Sequence, residues 1–257
     1  LLTAALALGG ALAGAGYLQW QKQRAEAARA VMPTTVAQQM CDAGDHALAW
    51  LRFDEAMAQF AQHEPLRRAR EDCGMRWLRD IRVEAGKETM TSIVNKVLPV
   101  LAEGAAAATA QRGADLRAHM GWADFLRLRE GASGMNPAAH YERALALEPG
   151  NVYAHAMWAH HIMVQSQPIE EAKRHFEAAL ASGRERAFVR HFQFVALLYY
   201  RGRHGQVEAL RVADEMRNSG ETVDARSRER MWTYVYYSEL MSRGSQREAF
   251  MAALPNP

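Results

Sequence analysis

Apolar positions recur along this chain at three- and four-residue spacing, and clusters of proline, glycine and asparagine interrupt them at repeat-like intervals. The pattern is sharpest over residues 136–159, NPAAHYERALALEPGNVYAHAMWA. Tyr141, Ala144, Leu145 and Leu147 share one helix face there, while Glu142 and Arg143 take the other. Pro149 cannot continue that helix, Gly150 suits a left-handed terminator, and Asn151 suits the N-cap of a second helix that opens at once. The stretch therefore predicts a helix-turn-helix unit with one buried face.

Similar units are predicted on both sides. Met32 to Thr35 predicts a break, with Thr34 or Thr35 capping a new helix. Residues 36–63 form a first hairpin, with Gly44 as a small residue of its first helix and Phe53, Ala56 and Phe60 along one face of its second. Residues 66–103 form a longer, less regular pair divided near Gly86, in which Pro99 predicts a kink or an early end. Residues 104–113, GAAAATAQRG, read as a linker or a weakly packed helix start. Helices over 115–129, 137–147, 152–164, 170–181, 186–201, 206–217, 224–242 and 246–254 complete about six hairpins of roughly 34–40 residues.

The first 20 residues, LLTAALALGGALAGAGYLQW, carry no charge and approach the length of a bilayer span. Tyr17 and Trp20 stand where an aromatic belt would lie, followed by Lys22 and Arg24. This predicts a transmembrane anchor over 1–20 and a juxtamembrane linker over 21–35. A secretory signal cleaved near Ala13 to Gly16 is the competing reading. Gly10 and Gly14 form a small-xxx-small pair suited to packing against another membrane helix. A single-pass protein with its soluble domain on the periplasmic or external face follows from the anchor reading.

Composition narrows the classes. Alanine, leucine, glutamate and arginine dominate and period-two alternation of β-branched residues is absent, so the chain is all-α. A net charge of +2 without a polybasic tract argues against a nucleic-acid partner. Cys41 and Cys73, about one hairpin apart, allow one disulfide or two buried thiols, and they lack the CxxC or CxxH spacing of zinc sites. His155 and His160 diverge by roughly 140° around a helix, which does not make a metal pair. HExxH, GxSxG and a phosphate-cradling glycine loop are all missing, so the sequence predicts no enzyme, no cofactor, no metal and no small-molecule substrate. The tyrosines and tryptophans of 188–200 and 231–237, Tyr199 and Tyr236 among them, are too many to face inward together and predict a protein-binding surface.

Tyr141, Ala144 and Pro149, with Pro137 ahead of them, resemble the tetratricopeptide-repeat signature of a small residue, an aromatic, a small residue and a proline. Ala172, Phe176 and Ala179 match it in the following unit, and Ala56 and Phe60, followed by Pro65, match it in the first. The resemblance covers roughly 36–255 and is degenerate over 66–113. It implies a right-handed α-solenoid in which first helices line a concave groove for polypeptide segments. Tyr153, Met157, His160, Phe188, His191, Val195 and Tyr199 would line that groove, aromatic and aliphatic where peptide-clamping members of the family carry lysine and asparagine.

The combined expectation is a membrane-anchored scaffold with a degenerate helical region over 36–104 and a TPR-like domain over 105–257. It would hold protein partners in a membrane-associated complex. The alternative is a secreted TPR-like assembly factor for client polypeptides.

Overall fold

The computed structural model describes residues 2–81, 87–165, 168–200 and 202–221, together with Arg228 and Met231. Among these residues it is entirely helical. Ten helices pack against their neighbours: α1 (Leu2–Asp42), α2 (His46–Phe60), α3 (Glu64–Asp80), α4 (Lys87–Ala107), α5 (Ala110–Arg129), α6 (Pro137–Leu147), α7 (Val152–Val164), α8 (Ile169–Ala181), α9 (Arg186–Tyr200) and α10 (Gly202–Asn218). The chain divides into two compact units, Leu1–Val100 and Leu101–Pro257. The helical pair expected over 224–254 lies, Arg228 and Met231 apart, outside the described residues.

In the first unit α1, α2 and α3 pack pairwise around Ala37, Cys41, Ala49, Phe53, Ala56, Leu66, Ala69 and Cys73. The break expected at Pro33 does not occur, and α1 runs through it for 41 residues. Proline removes one backbone donor, but the threonine hydroxyls beside it bond back into the helix. Thr34 Oγ1 donates to the Ala30 carbonyl at 2.7 Å and Thr35 Oγ1 to the Val31 carbonyl at 2.9 Å. The two threonines thus lie inside the helix and cap nothing. Residues 21–35, expected as a juxtamembrane stretch whose first ten residues continue the preceding helix, lie within α1.

Gly44, expected inside a helix, instead ends one. Its φ is 89°, its N–H donates to the Cys41 carbonyl, and the Asp45 N–H reaches back to the Met40 carbonyl. This double closure needs a left-handed residue, which glycine adopts without steric cost. It turns the chain within three residues, so α2 folds back along α1.

The membrane anchor expected over residues 1–20 is overturned. Among the described residues, no helix is long and apolar enough to cross a membrane. Half of those twenty residues are alanine or glycine, the least apolar of the residues that fill membrane spans. Gly10 and Gly14 lie along α1, their surroundings fall outside what is described, and their membrane-packing role loses its basis with the anchor. The single-pass localisation falls with it.

In the second unit each helix meets the next, and α5, α7 and α9 also pack on one another in sequence. The turn at residues 148–151 shows how the register is set. Asn136 Oδ1 accepts from the Ala139 N–H at 3.2 Å to start α6, and Asn151 Oδ1 accepts from the Ala154 N–H at 2.9 Å to start α7. The fully buried Asn151 also donates from Nδ2 to Asp115 at 2.6 Å and to Glu148 at 2.7 Å. One side chain therefore ties α5, the end of α6 and the start of α7. Gly150 has no positive φ; Glu148, extended at φ −141° and ψ 94°, ends α6 instead. Residues 104–113, expected as a linker, are the end of α4 and the start of α5, and α4 continues beyond Pro99.

A buried i, i+4, i+7 register recurs in the second helix of four pairs, α4 apart. It reads Ala49, Phe53, Ala56 in α2 and Pro137, Tyr141, Ala144 in α6. It continues as Ala172, Phe176, Ala179 in α8 and Ala209, Ala213, Met216 in α10. In α2 the large member is Phe53, fully buried, whereas Phe60 is only partly so, shifting the expected first-hairpin motif by one repeat of that spacing. The ring of Tyr141 lies where a Cβ on Gly121 would come within 2.6 Å of it, so α5 and α6 meet ring to backbone.

Candidate functional site

The residues expected to line a groove in the second unit form the seam between its first helices. Tyr153, Met157 and His160 stand at i, i+4 and i+7 of α7, one helix face, and all three are buried. His191 and Val195 of α9 are buried and Phe188 is half-buried. The rings run in two rows across α5, α7 and α9. One row passes from His119 to Tyr153 at 4.7 Å between ring centroids and on to Phe188 at 5.4 Å, both edge to face. The other places His160 edge-on against Trp122 and Phe125, each at 5.2 Å, with Phe192 at 5.7 Å beyond. Such edge contacts add about 0.5–1.5 kcal/mol each to area burial. Tyr199 lies in α9 with its side chain outside the described set, and Tyr236 lies outside the described residues.

Burial sets the charge of this seam. His160 is held neutral, its pKa pushed down to about 3, first by loss of solvent and then by Arg129, His161 and His191. On the other side of α7, His155 Nε2–H donates to the Pro149 carbonyl at 2.9 Å. That leaves Nδ1 of neutral His155 to accept from His175 Nδ1–H at 2.8 Å. Protonating His155 would break this bond, and both rings have lowered pKa values, His175 about 4 through burial and then the charges of His155 and Arg174. At neutral pH the seam offers uncharged imidazoles and apolar rings.

The first unit gathers a different chemistry. Cys41 in the last turn of α1 and Cys73 in α3 are joined as a disulfide, with Cα atoms 5.9 Å apart. His46, at the first position of α2, brings Nδ1 to 3.4 Å from Cys41 Sγ and Nε2 to 2.7 Å from Asp80 Oδ2. Both sulfurs and the ring are buried, and the two Sγ atoms and a ring nitrogen lie within 4.8 Å of one another. A cavity of about 60 Å³ opens on the bridge, lined by Gln38, Asp42, Asp72 and Arg76, with Arg76 paired to Asp42. Sequence reasoning missed His46 and Asp80. The signal was Gly44: once it is a helix terminator, Cys41 and His46 flank a tight turn and must meet.

Comparison with protein-family models, curated proteins and solved structures gives no match.

Proposed function

We propose that this chain is a helical-repeat adaptor of tetratricopeptide type, which holds a polypeptide partner and assists assembly of a multiprotein complex without chemistry of its own. The observation that carries the reading is the recurring buried small-large-small register: Ala49, Phe53, Ala56, then Pro137, Tyr141, Ala144, then Ala172, Phe176, Ala179. It is supported by first helices that pack on first helices in the second unit. Repeats of this kind bury their own faces against neighbours and present long surfaces to partners.

The partner surface we assign is the apolar side of α1 and α2, not the seam, whose rings are engaged with one another. Tyr17, Leu18, Trp20, Val31 and Met32 of α1 and Leu48 and Leu51 of α2 are exposed. Large exposed apolar groups in this number suit an apolar helix or extended segment. A photo-reactive amino acid in place of Trp20 tests it, with one in place of exposed Leu147 as control. Partner adducts are expected from position 20 and not from 147; equal yields at both positions would refute the assignment. The Cys41–Cys73 bridge favours a second reading, an assembly factor for client polypeptides where thiols are oxidised. Suppression of aggregation of an unfolded model client by the intact chain supports that reading, and no suppression excludes it.

A further inference from the structure

His46 directs Nε2 to the Asp80 carboxylate and Nδ1 to Cys41 Sγ, and in the tautomer that carries its proton on Nε2 the Nδ1 lone pair faces the sulfur. A disulfide sulfur carries no proton to offer it. The same lone pair, beside two thiolates, is the donor set of a tetrahedral cation site.

We infer that, when the bridge is reduced, Cys41 Sγ, Cys73 Sγ and His46 Nδ1 bind one zinc-class divalent cation. Three observations converge on this. The three donors come from α1, α2 and α3 and lie within 4.8 Å of one another, and once the bond opens the two sulfurs part to about 3.8 Å, the edge of a tetrahedron with bonds of about 2.3 Å. Asp80 holds the far nitrogen at 2.7 Å, as carboxylates commonly do for histidines that ligate a metal, which orients the ring and favours the proton on Nε2. The cavity over the sulfurs, lined also by Asp42, Asp72 and Arg76, gives solvent and a cation an entry path to both sulfurs. Asp80 is a positioning residue; the ligands are the other three.

The chemistry balances. A dithiol reductant gives up two electrons and two protons, closes to its own disulfide, and opens the Cys41–Cys73 bond to two thiols. The cation then displaces both thiol protons to solvent and accepts an electron pair from each sulfur and from Nδ1. A disulfide oxidant takes the two electrons back, leaves as its own dithiol with two protons from solvent, and the re-formed Cys41–Cys73 bond releases the cation, so the cluster alternates between a covalent and a metal-held link of α1 to α3.

The test uses the full chain, reduced with dithiol, desalted without oxygen and titrated with cobalt(II), whose thiolate complexes show charge-transfer absorption. One equivalent is expected to bind the reduced chain, to be displaced by zinc(II), and not to bind the oxidised chain. His46→Asn should weaken binding by at least tenfold. Asp80→Asn, which alters no ligand, should weaken it by roughly tenfold to a hundredfold. Far-UV circular dichroism checks that each variant keeps its helix content in the oxidised state. No cobalt band in the reduced wild type, or the same affinity in wild type and both variants, would overturn the proposal.

Discussion

Replacing Tyr141 by phenylalanine should stabilise the second unit. The side chain is fully buried, and its hydroxyl has no hydrogen-bond partner among the described residues. Burial, with the negative charge of Asp124, holds the phenol pKa well above its ordinary value, so the group stays neutral. A buried hydroxyl without a partner costs about 1–3 kcal/mol by mutational measures. Phenylalanine keeps the ring, hence the contact with Gly121 and the stacking on Trp158 at 6.2 Å between centroids, while removing that cost. The net gain should be about 1 kcal/mol, or roughly 2–4 °C in Tm for a unit of this size. Urea unfolding followed by circular dichroism reads it as a higher midpoint with unchanged slope. Hydrogen exchange at the α6 amides should slow in parallel. A loss of about 1 kcal/mol or more would refute the reasoning, because it would mean that the hydroxyl is bonded in the folded protein.

Gly121→Ala should destabilise: the new Cβ meets Tyr141 at 2.6 Å, an overpacking cost of about 1–3 kcal/mol that the roughly 1 kcal/mol gain in helix propensity only partly offsets. Thermal melts of this variant check it. Asn151→Ala should cost about 2–3 kcal/mol, because it removes the cap of α7 together with the links to Asp115 and Glu148, and denaturant midpoints measure the loss. Stability should also fall with acid. His160 has a folded pKa near 3 against about 6.5 unfolded, so the unfolded chain binds the proton first. No stability is lost above pH 6.5; it declines as pH drops toward 3, by several kcal/mol in all, and His175 adds in the same direction down to about pH 4. Urea midpoints of wild type and His160→Leu at pH 7 and 4.5 should converge or cross at the lower pH, and a constant gap between them would count against the assignment.

What could be read from the sequence was local. The α6–α7 turn was legible because Asn136, Pro137, Pro149 and Asn151 signal through their own backbone and neighbours within four residues. The helical class followed from spacing alone. Harder features depend on what lies across the fold. Pro33 reads as a break from its own chemistry, whereas the packing of α1 against α2 and α3 is not written in the local sequence. Tyr153, Met157 and His160 looked like a groove because a helix face reads the same whether a partner or the next helix covers it. The pairing of His46 with Asp80 joins the two ends of a hairpin-length segment, and no short motif records it.

The Cys41–Cys73 bond also alters how the first unit carries load. It closes the segment between the two cysteines, with all of α2 inside it, into a covalent ring. Tension applied along the exposed stretch of α1 would pass from Cys41 through the sulfurs directly into α3, bypassing α2 and the Gly44 turn. Leu48 and Leu51 would then keep their arrangement while a partner pulls on Tyr17 or Trp20, and reduction of the bridge would put α2 back in the line of force.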